Sequence, residues 1–132
     1  MQRIFYQPTD RSPLVDFDFP NHHLTMEGES YPEDAAAFFG PLLEALEAYL
    51  DQLDDSAEVV FDFRMSYFNS SSAKSLMNMF QLLESAAQAG RNVTINWYYL
   101  EDDDTMEEFG EDFSEDFTNV RFKLCPLPAS GE

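Results

Sequence analysis

Hydrophobic and polar positions alternate near the start of the chain. In residues 14–19 the apolar side chains are separated by Asp16 and Asp18, which is the period of a strand with one buried face. A turn-forming segment, residues 20–23, follows, and a second apolar stretch runs from there to Gly28. The pattern predicts an N-terminal β-hairpin at one side of a sheet, with its second strand ending at Gly28.

The hairpin is followed by apolar residues at helical spacing. They recur at intervals of three and four residues, as in an amphipathic helix, and are Phe38, Phe39, Leu42, Leu46, Tyr49, Leu50 and Leu53. Residues 30–33 have the S-x-x-E form of a capping box, so the helix is predicted to start there. Pro41 removes a helical hydrogen bond, and we expect either a kink or a short helix followed by another that starts near Pro41.

A strand–helix–strand unit occupies the middle of the chain. Residues 59–63 are β-branched or aromatic with little polarity, which is typical of a central strand. Apolar residues at helical spacing come next, with Gly90 in a C-cap position, and these are Leu76, Met77, Phe80, Leu83 and Ala87. The alternating residues 93–97 form the next strand. A unit of this length implies a parallel right-handed crossover.

The sequence pattern of the last part of the chain predicts a helix and a strand. The acidic residues 101–104 lack the Gly and Glu spacing of an EF-hand loop, and they suit the first turn of a helix whose apolar stripe is Met106, Phe109 and Phe113. Residues 120–124 alternate as a final strand. We therefore predict a single α/β domain over residues 1–132, with an ordered core of about 4–124 and a C-terminal tail of 125–132.

Composition narrows the classes of function. The 26 acidic and 7 basic residues give a formal net charge of −19, which opposes binding to nucleic acid or to an anionic membrane. One cysteine, Cys125, allows no internal disulfide, and neither a signal peptide nor a membrane span is visible. The expected location is cytoplasmic. The adjacent His22 and His23 have no partners for a metal site, and no cofactor is expected.

The chain has one hydroxyl-rich segment, Asn69 followed by Ser70, Ser71 and Ser72, where the central strand ends and a helix begins. Such residues cap helices, and a phosphate on one of them would meet the free N–H groups of the helix start. The spacing alone allows both a cap and a switch. No nucleophile elbow, P-loop or metal cluster is present, so a binding or regulatory protein is favoured over an enzyme that uses its carboxylates.

Three segments together resemble the SiaC family of bacterial regulatory phosphoproteins: Glu27 to Glu33, Phe39 with Gly40, and Tyr67 to Lys74. The resemblance implies a STAS-like domain, that is, one like the anti-sigma factor antagonists, with a mixed sheet packed against helices. It also implies a hydroxyl at the helix start that a cognate Ser/Thr kinase phosphorylates and a PP2C-like phosphatase dephosphorylates. The unphosphorylated form would bind and activate a GGDEF-type diguanylate cyclase, which links the protein to cyclic di-GMP and biofilm formation.

The regulated hydroxyl of the family maps onto Ser70, with Ser71 as the alternative. Another family member has Thr at this position, and a serine hydroxyl can be phosphorylated in the same way. The candidate residues for partner docking are Tyr67, Asn69, Ser71, Ser72 and Lys74. The alternative function is an anti-sigma factor antagonist that works in a partner-switching circuit with a kinase and a PP2C-like phosphatase.

Overall fold

In the computed structural model, which describes residues 1–129, six strands form one sheet in chain order and three helices accompany it. The strands are β1 (Ile4–Tyr6), β2 (Leu14–Asp18), β3 (His23–Ser30), β4 (Glu58–Phe68), β5 (Asn92–Leu100) and β6 (Arg121–Leu127), and the helices are α1 (Ala35–Asp51), α2 (Ser70–Gln88) and α3 (Asp104–Asp116). A 3-10 turn, Phe19–Asn21, joins β2 to β3. The predicted N-terminal hairpin is confirmed.

The sheet is mixed. β1, β2 and β3 pair antiparallel, whereas β3, β4, β5 and β6 are parallel neighbours. Each connection between parallel strands contains one helix. The strands β3 to β6 follow one another across the sheet in one direction. Right-handed crossovers then place α1, α2 and α3 on the same face of the sheet, as a single layer. This architecture confirms the predicted α/β fold with an N-terminal hairpin and parallel central strands.

The core lies between the sheet and the helix layer and is rich in aromatic rings. Phe63 of β4 and Trp97 of β5 stack with ring centroids 4.6 Å apart, and both rings contact Phe80 of α2. Gly110 of α3 is needed for this packing, because a Cβ there would lie 2.7 Å from Trp97. The second face of the sheet carries polar side chains that are exposed or half-buried.

Strand ends differ from the prediction at Gly28 and after Leu124. β3 continues past Gly28 to Ser30 through a register shift at residues 28/29, and Gly28 accommodates this bulge with a φ of 116°. β6 includes Cys125–Leu127, which were predicted to belong to the tail, because these residues pair with Tyr98–Leu100. The rest of the predicted tail includes residues 130–132, which lie outside the described part of the chain.

The predicted start of the first helix is wrong. Ser30 is the last residue of β3 and is fully buried, so it does not cap a helix. α1 begins at Ala35, four residues later than a cap at Ser30 would place its start. Its N-cap is Asp34, whose carboxylate accepts the N–H of Ala37. Pro41 lies inside one uninterrupted helix, which excludes the alternative of two helices.

The buried stripe of α2 differs from the prediction at one position. Met77 is 44% exposed, whereas Met79 is fully buried. Leu76, Met79 and Leu83 lie at helical intervals of three and four residues, and Met77 is rotated away from that face. The other end of α2 is as predicted, because Gly90 has a φ of 99° and Arg91 donates its N–H to the carbonyl of Ala86.

Residues 1–129 were searched for membrane-spanning helices and for clusters of metal-binding side chains. No helix among them is both long enough and apolar enough to cross a membrane. No group of three or more His, Cys, Asp or Glu side chains in that range is arranged to hold a metal ion. His22 instead bonds to the Tyr49 hydroxyl at 2.5 Å, and His23 bonds to Asp62 at 2.7 Å.

A buried carboxylate joins α2 to the start of β6. Glu84 is 4% exposed, and its two oxygens accept the backbone N–H of Asn119 at 2.9 and 3.1 Å and that of Val120 at 3.1 Å. A buried carboxylate is tolerated where it is hydrogen-bonded in this way. Glu84 therefore holds the loop between α3 and β6 against the end of α2.

We predict that Glu84→Ala lowers the free energy of unfolding by about 2–3 kcal/mol, because it leaves two N–H groups without an acceptor in a buried site. Urea denaturation followed by circular dichroism measures the loss. The control is Glu108→Ala on the exposed side of α3, which should change stability by less than about 0.5 kcal/mol. Equal effects of the two substitutions would show that the Glu84 contacts contribute nothing.

Candidate functional site

The candidate site lies where β4 passes directly into α2. Phe68 ends the strand with its side chain 6% exposed, and Asn69 is the N-cap of α2 in an extended conformation. The Asn69 side-chain oxygen accepts the N–H of Ser72 at 2.9 Å. Its backbone carbonyl accepts the N–H of Ala73 at 2.8 Å. The predicted docking residue Asn69 is therefore the cap that starts the helix, and it is half-buried.

The three serines of the first turn have different environments. Ser70 and Ser71 are exposed, whereas Ser72 is fully buried. The Ser72 hydroxyl lies 2.8 Å from the hydroxyl of Ser30 and donates to the Ser30 carbonyl at 3.1 Å. Two hydroxyls, those of Ser70 and Ser71, are thus accessible to a modifying enzyme. Ser72, which was a candidate for docking, has no accessible side-chain surface and serves as a structural link.

The Ser30 carbonyl joins two parallel strands to the helix start. It accepts the backbone N–H of Asn69 at 3.0 Å in addition to the hydroxyl of Ser72. Because β3 and β4 are parallel neighbours, both reach this edge with their carboxyl ends. The first turn of α2 is therefore fixed from inside, while Ser70 and Ser71 stay on the surface.

Exposed aromatic rings lie beside the serines. Tyr67, near the end of β4, is 49% exposed, and Tyr31, just after β3, is 36% exposed. Their rings meet edge to face with centroids 6.0 Å apart, so they form one exposed aromatic pair. Tyrosines on a surface are common anchors of protein interfaces. The structure thus brings the predicted residue Tyr67 together with Tyr31, which was not predicted.

Lys74 gives this surface a positive charge. It is exposed, it lies one helical turn after Ser70, and no ion-pair partner for it occurs within residues 1–129. Met77, 44% exposed, lies one turn further along α2. Ser70, Lys74 and Met77 therefore follow one another along the same side of the helix, as positions i, i+4 and i+7 do.

Sequence reasoning missed Tyr31 and Met77 for identifiable reasons. Tyr31 was placed inside a capping box, and its contact with Tyr67 joins residues 36 positions apart in the chain. Met77 was assigned to the buried stripe. The available signal for Tyr31 was its place in the segment Glu27 to Glu33, one of those that carry the resemblance to a known family.

Comparison with known proteins decides the family. The family model of the SiaC family regulatory phosphoproteins matches residues 6–127. The chain belongs to the SiaC family. This result confirms the resemblance carried by the segments at residues 27–33, 39–40 and 67–74.

One relative and two solved structures from Pseudomonas aeruginosa are similar to this chain. An uncharacterized protein of strain UCBPP-PA14 is 35% identical over 116 residues, which covers 88% of this chain and 90% of the relative. The crystal structure of apo-SiaC is 31% identical with a TM-score of 0.83, covering 96% of this chain and 99% of that one. SiaC in complex with diguanylate cyclase SiaD, which it activates, is 30% identical with a TM-score of 0.84, covering 95% and 98% of the two chains.

The SiaC-family fold of this chain is therefore established as a mixed α/β sheet with one helix layer. The STAS-like description is a finer statement than these comparisons make, and it stays a prediction. The same holds for the assignment of Ser70 as the phosphorylated residue.

We predict that Ser72→Ala lowers the free energy of unfolding by about 1–2 kcal/mol, because it leaves the buried Ser30 hydroxyl without its partner. Urea denaturation measures the change. Ser85→Ala, at an exposed position of the same helix, is the matched control and should change stability by less than about 0.5 kcal/mol. A Ser72→Ala protein as stable as the control would contradict the structural role of the Ser30–Ser72 link.

Proposed function

We propose that this SiaC-family protein is a signalling switch whose unphosphorylated form binds and activates a GGDEF-type diguanylate cyclase, and that phosphorylation of Ser70 ends this binding. The observation that carries the proposal is the exposed Ser70 hydroxyl at the start of α2, next to the Tyr31–Tyr67 pair and Lys74. The complex of SiaC with diguanylate cyclase SiaD, in a relative of the same fold, supports the choice of partner.

The physical action of the phosphate follows from its charge. A phosphoserine adds about −1.5 to −2 charges near pH 7. On Ser70 it would meet the N–H groups that a helix start leaves free and the Lys74 ammonium one turn away. These contacts stabilise the modified serine on the free protein, whereas transferring the same charge into a dry interface costs free energy. Phosphorylation is therefore expected to weaken docking.

Ser70 is preferred over Ser71 because the family's regulated hydroxyl maps onto it, and both hydroxyls are accessible. The docking surface in this proposal consists of Tyr31, Tyr67, Lys74 and the exposed serines. Asn69 contributes by starting the helix, and Ser72 contributes by holding it. In the proposed switch, both residues position the first turn of α2.

The rest of the proposed circuit follows the family. A cognate Ser/Thr kinase adds the phosphate and a PP2C-like phosphatase removes it, in the cytoplasm, and the protein itself is non-catalytic and needs no cofactor. The net charge of −19 favours protein partners over nucleic acid or an anionic membrane. Through the cyclase, the switch would control cyclic di-GMP and biofilm formation.

The alternative circuit, an anti-sigma factor antagonist that binds an anti-sigma kinase, would use the same serine at the same helix start. The cyclase complex of a 30% identical relative favours the first proposal. A pull-down from the native cell separates the two, because it returns either a GGDEF protein or a kinase with a sigma factor.

We predict that kinase treatment adds one phosphate at Ser70, that Ser70→Ala prevents this, and that Ser70→Asp weakens binding to the cognate cyclase by about tenfold or more. Mass spectrometry locates the phosphate, and isothermal titration calorimetry with the purified cyclase measures the affinity.

Ser56→Asp is the matched control, because Ser56 is an exposed residue in the loop before β4, at the opposite end of that strand from Ser70. It should leave the affinity unchanged. A phosphate on Ser71 alone would transfer the role to that residue, and unchanged binding by both the phosphoprotein and Ser70→Asp would overturn the switch.

A further inference from the structure

Strands β4 and β5 part before either of them ends. Their parallel pairing stops at Phe63 and Trp97, whereas β4 continues to Phe68 and β5 continues to Leu100. On their outer sides both strands stay paired, β4 with β3 and β5 with β6. The sheet is therefore split between β4 and β5 at their carboxyl ends.

A bulge accounts for the split. Ser66 is an extra residue on β4, because the register with β3 shifts by one residue between Gly28 and Glu29. A bulge bends the strand that carries it and increases the local twist. β4 therefore follows β3 and leaves β5, and the backbone N–H and C=O groups on the facing sides of residues 65–66 and 99–100 have no partner across the gap.

The split contains a crevice on the face of the sheet that the helices leave uncovered. Its volume is about 310 Å³, which lies within the range of small-molecule sites, about 300–1,000 Å³. Tyr98, Leu100 and Leu127 give it an apolar lining, and Leu100 is 39% exposed. On the helix side the gap is closed by Phe68, whose ring contacts that of Trp97 on β5.

Arg64 gives the crevice a positive charge. Its guanidinium carbon lies over the Tyr98 ring, 3.8 Å from the ring centre, as in a cation–π contact. No ion-pair partner for Arg64 occurs within residues 1–129, although Glu27 is its neighbour across the β3–β4 pairing. Because a guanidinium carries its N–H donors around its edge, contact with the ring leaves donors available to an anion.

We propose that this crevice binds a small monocarboxylic acid with a flat apolar body. The carboxylate accepts the two parallel N–H bonds that the edge of the Arg64 guanidinium offers. The apolar body lies against Tyr98 and Leu100, and its polar substituents meet the unpaired backbone groups of the split strands. The position fits the general rule that ligands of open α/β sheets bind outside the carboxyl ends of the strands.

The carboxylates that line the crevice limit the charge of the ligand. Glu27 and Asp103 both line it, and the Asp103 side chain accepts the N–H of Met106 as the N-cap of α3. Together with the net charge of −19, these groups repel a doubly charged phosphate more strongly than a singly charged carboxylate. They also attract cations, so an amine with the same body is the competing ligand that a test must include.

The crevice is separate from the serine site. Arg64, Tyr98 and Leu100 alternate with core residues of their strands, so they lie on the sheet face opposite the helices, whereas Ser70 and Ser71 begin α2. Binding of an acid in the crevice is therefore independent of the proposed switch.

Titration of the isotope-labelled full chain with benzoate, followed by two-dimensional NMR, tests the site. The amide signals of residues 64–66 and 98–100 should shift saturably. Acetate lacks the flat body, benzamide lacks the charge and benzylamine reverses it, and each should bind about tenfold more weakly or worse. Equal or tighter binding of any of the three, or saturable shifts confined to other residues, would overturn the proposal.

A pair of arginine variants separates the local contact from net charge. Arg64→Gln should weaken benzoate about tenfold and leave benzamide unchanged, because only the carboxylate pairs with the guanidinium. Arg121→Gln removes another exposed cation from the same sheet face and should keep the affinity for benzoate. Equal losses in the two variants, or wild-type binding by Arg64→Gln, would contradict the site.

A change in the apolar lining gives a second test. Leu100→Gln should weaken benzoate and benzamide alike, because both place the same ring against this side chain. Met77→Gln, at a similarly exposed apolar residue of α2, is the control and should leave both affinities unchanged. Wild-type binding of benzoate by Leu100→Gln would show that the ring does not lie in the crevice.

Discussion

The hydrogen bonds made by Ser30 determine the arrangement of the candidate site. Its carbonyl accepts the backbone N–H of Asn69 and the hydroxyl of Ser72, and its own hydroxyl lies 2.8 Å from that of Ser72. These bonds attach the start of α2 to the end of β3, and they bury one serine of the first turn while Ser70 and Ser71 face solvent. Because buried polar groups are costly to leave unpaired, the helix start has one defined position, from which the Ser70 and Ser71 hydroxyls face solvent.

The charge of −19 is distributed unevenly over this framework. α3 alone carries seven carboxylates in 13 residues, and α1 carries the exposed Glu44, Glu47 and Asp51. α2 lies between them with one acidic residue, the buried Glu84. The helix layer therefore combines an acidic surround with a nearly uncharged strip that contains the serines at one end. Such a surface attracts basic partners from a distance and still offers apolar contact at short range.

Periodicity was sufficient for the parts of the fold that depend on local pattern. The alternation in β2 and β5 and the spacing in α1 follow directly from which residues face the core. The misassignment of Met77 was local, but the other errors arose where residues distant in the sequence decide the structure. Ser30 fits a capping box locally but bonds to Ser72, 42 positions away, and β6 continues through Pro126 because an edge strand tolerates proline. The hydroxyl run at the start of α2 was visible in the sequence because a helix cap is a local feature, and the choice of Ser70 within it came from the family resemblance. The pairing of Tyr31 with Tyr67, in contrast, exists only in the folded chain.

In the proposed switch, one phosphate on α2 controls a cyclase. The most direct measurement is the rate of cyclic di-GMP synthesis by the purified cognate GGDEF cyclase, titrated with the unphosphorylated protein and with the protein carrying phosphoserine at position 70. If phosphorylation of Ser70 is the switch, the first form increases the rate saturably and the second leaves it close to that of the cyclase alone. Equal stimulation by both forms, or none by the unphosphorylated protein, would contradict it.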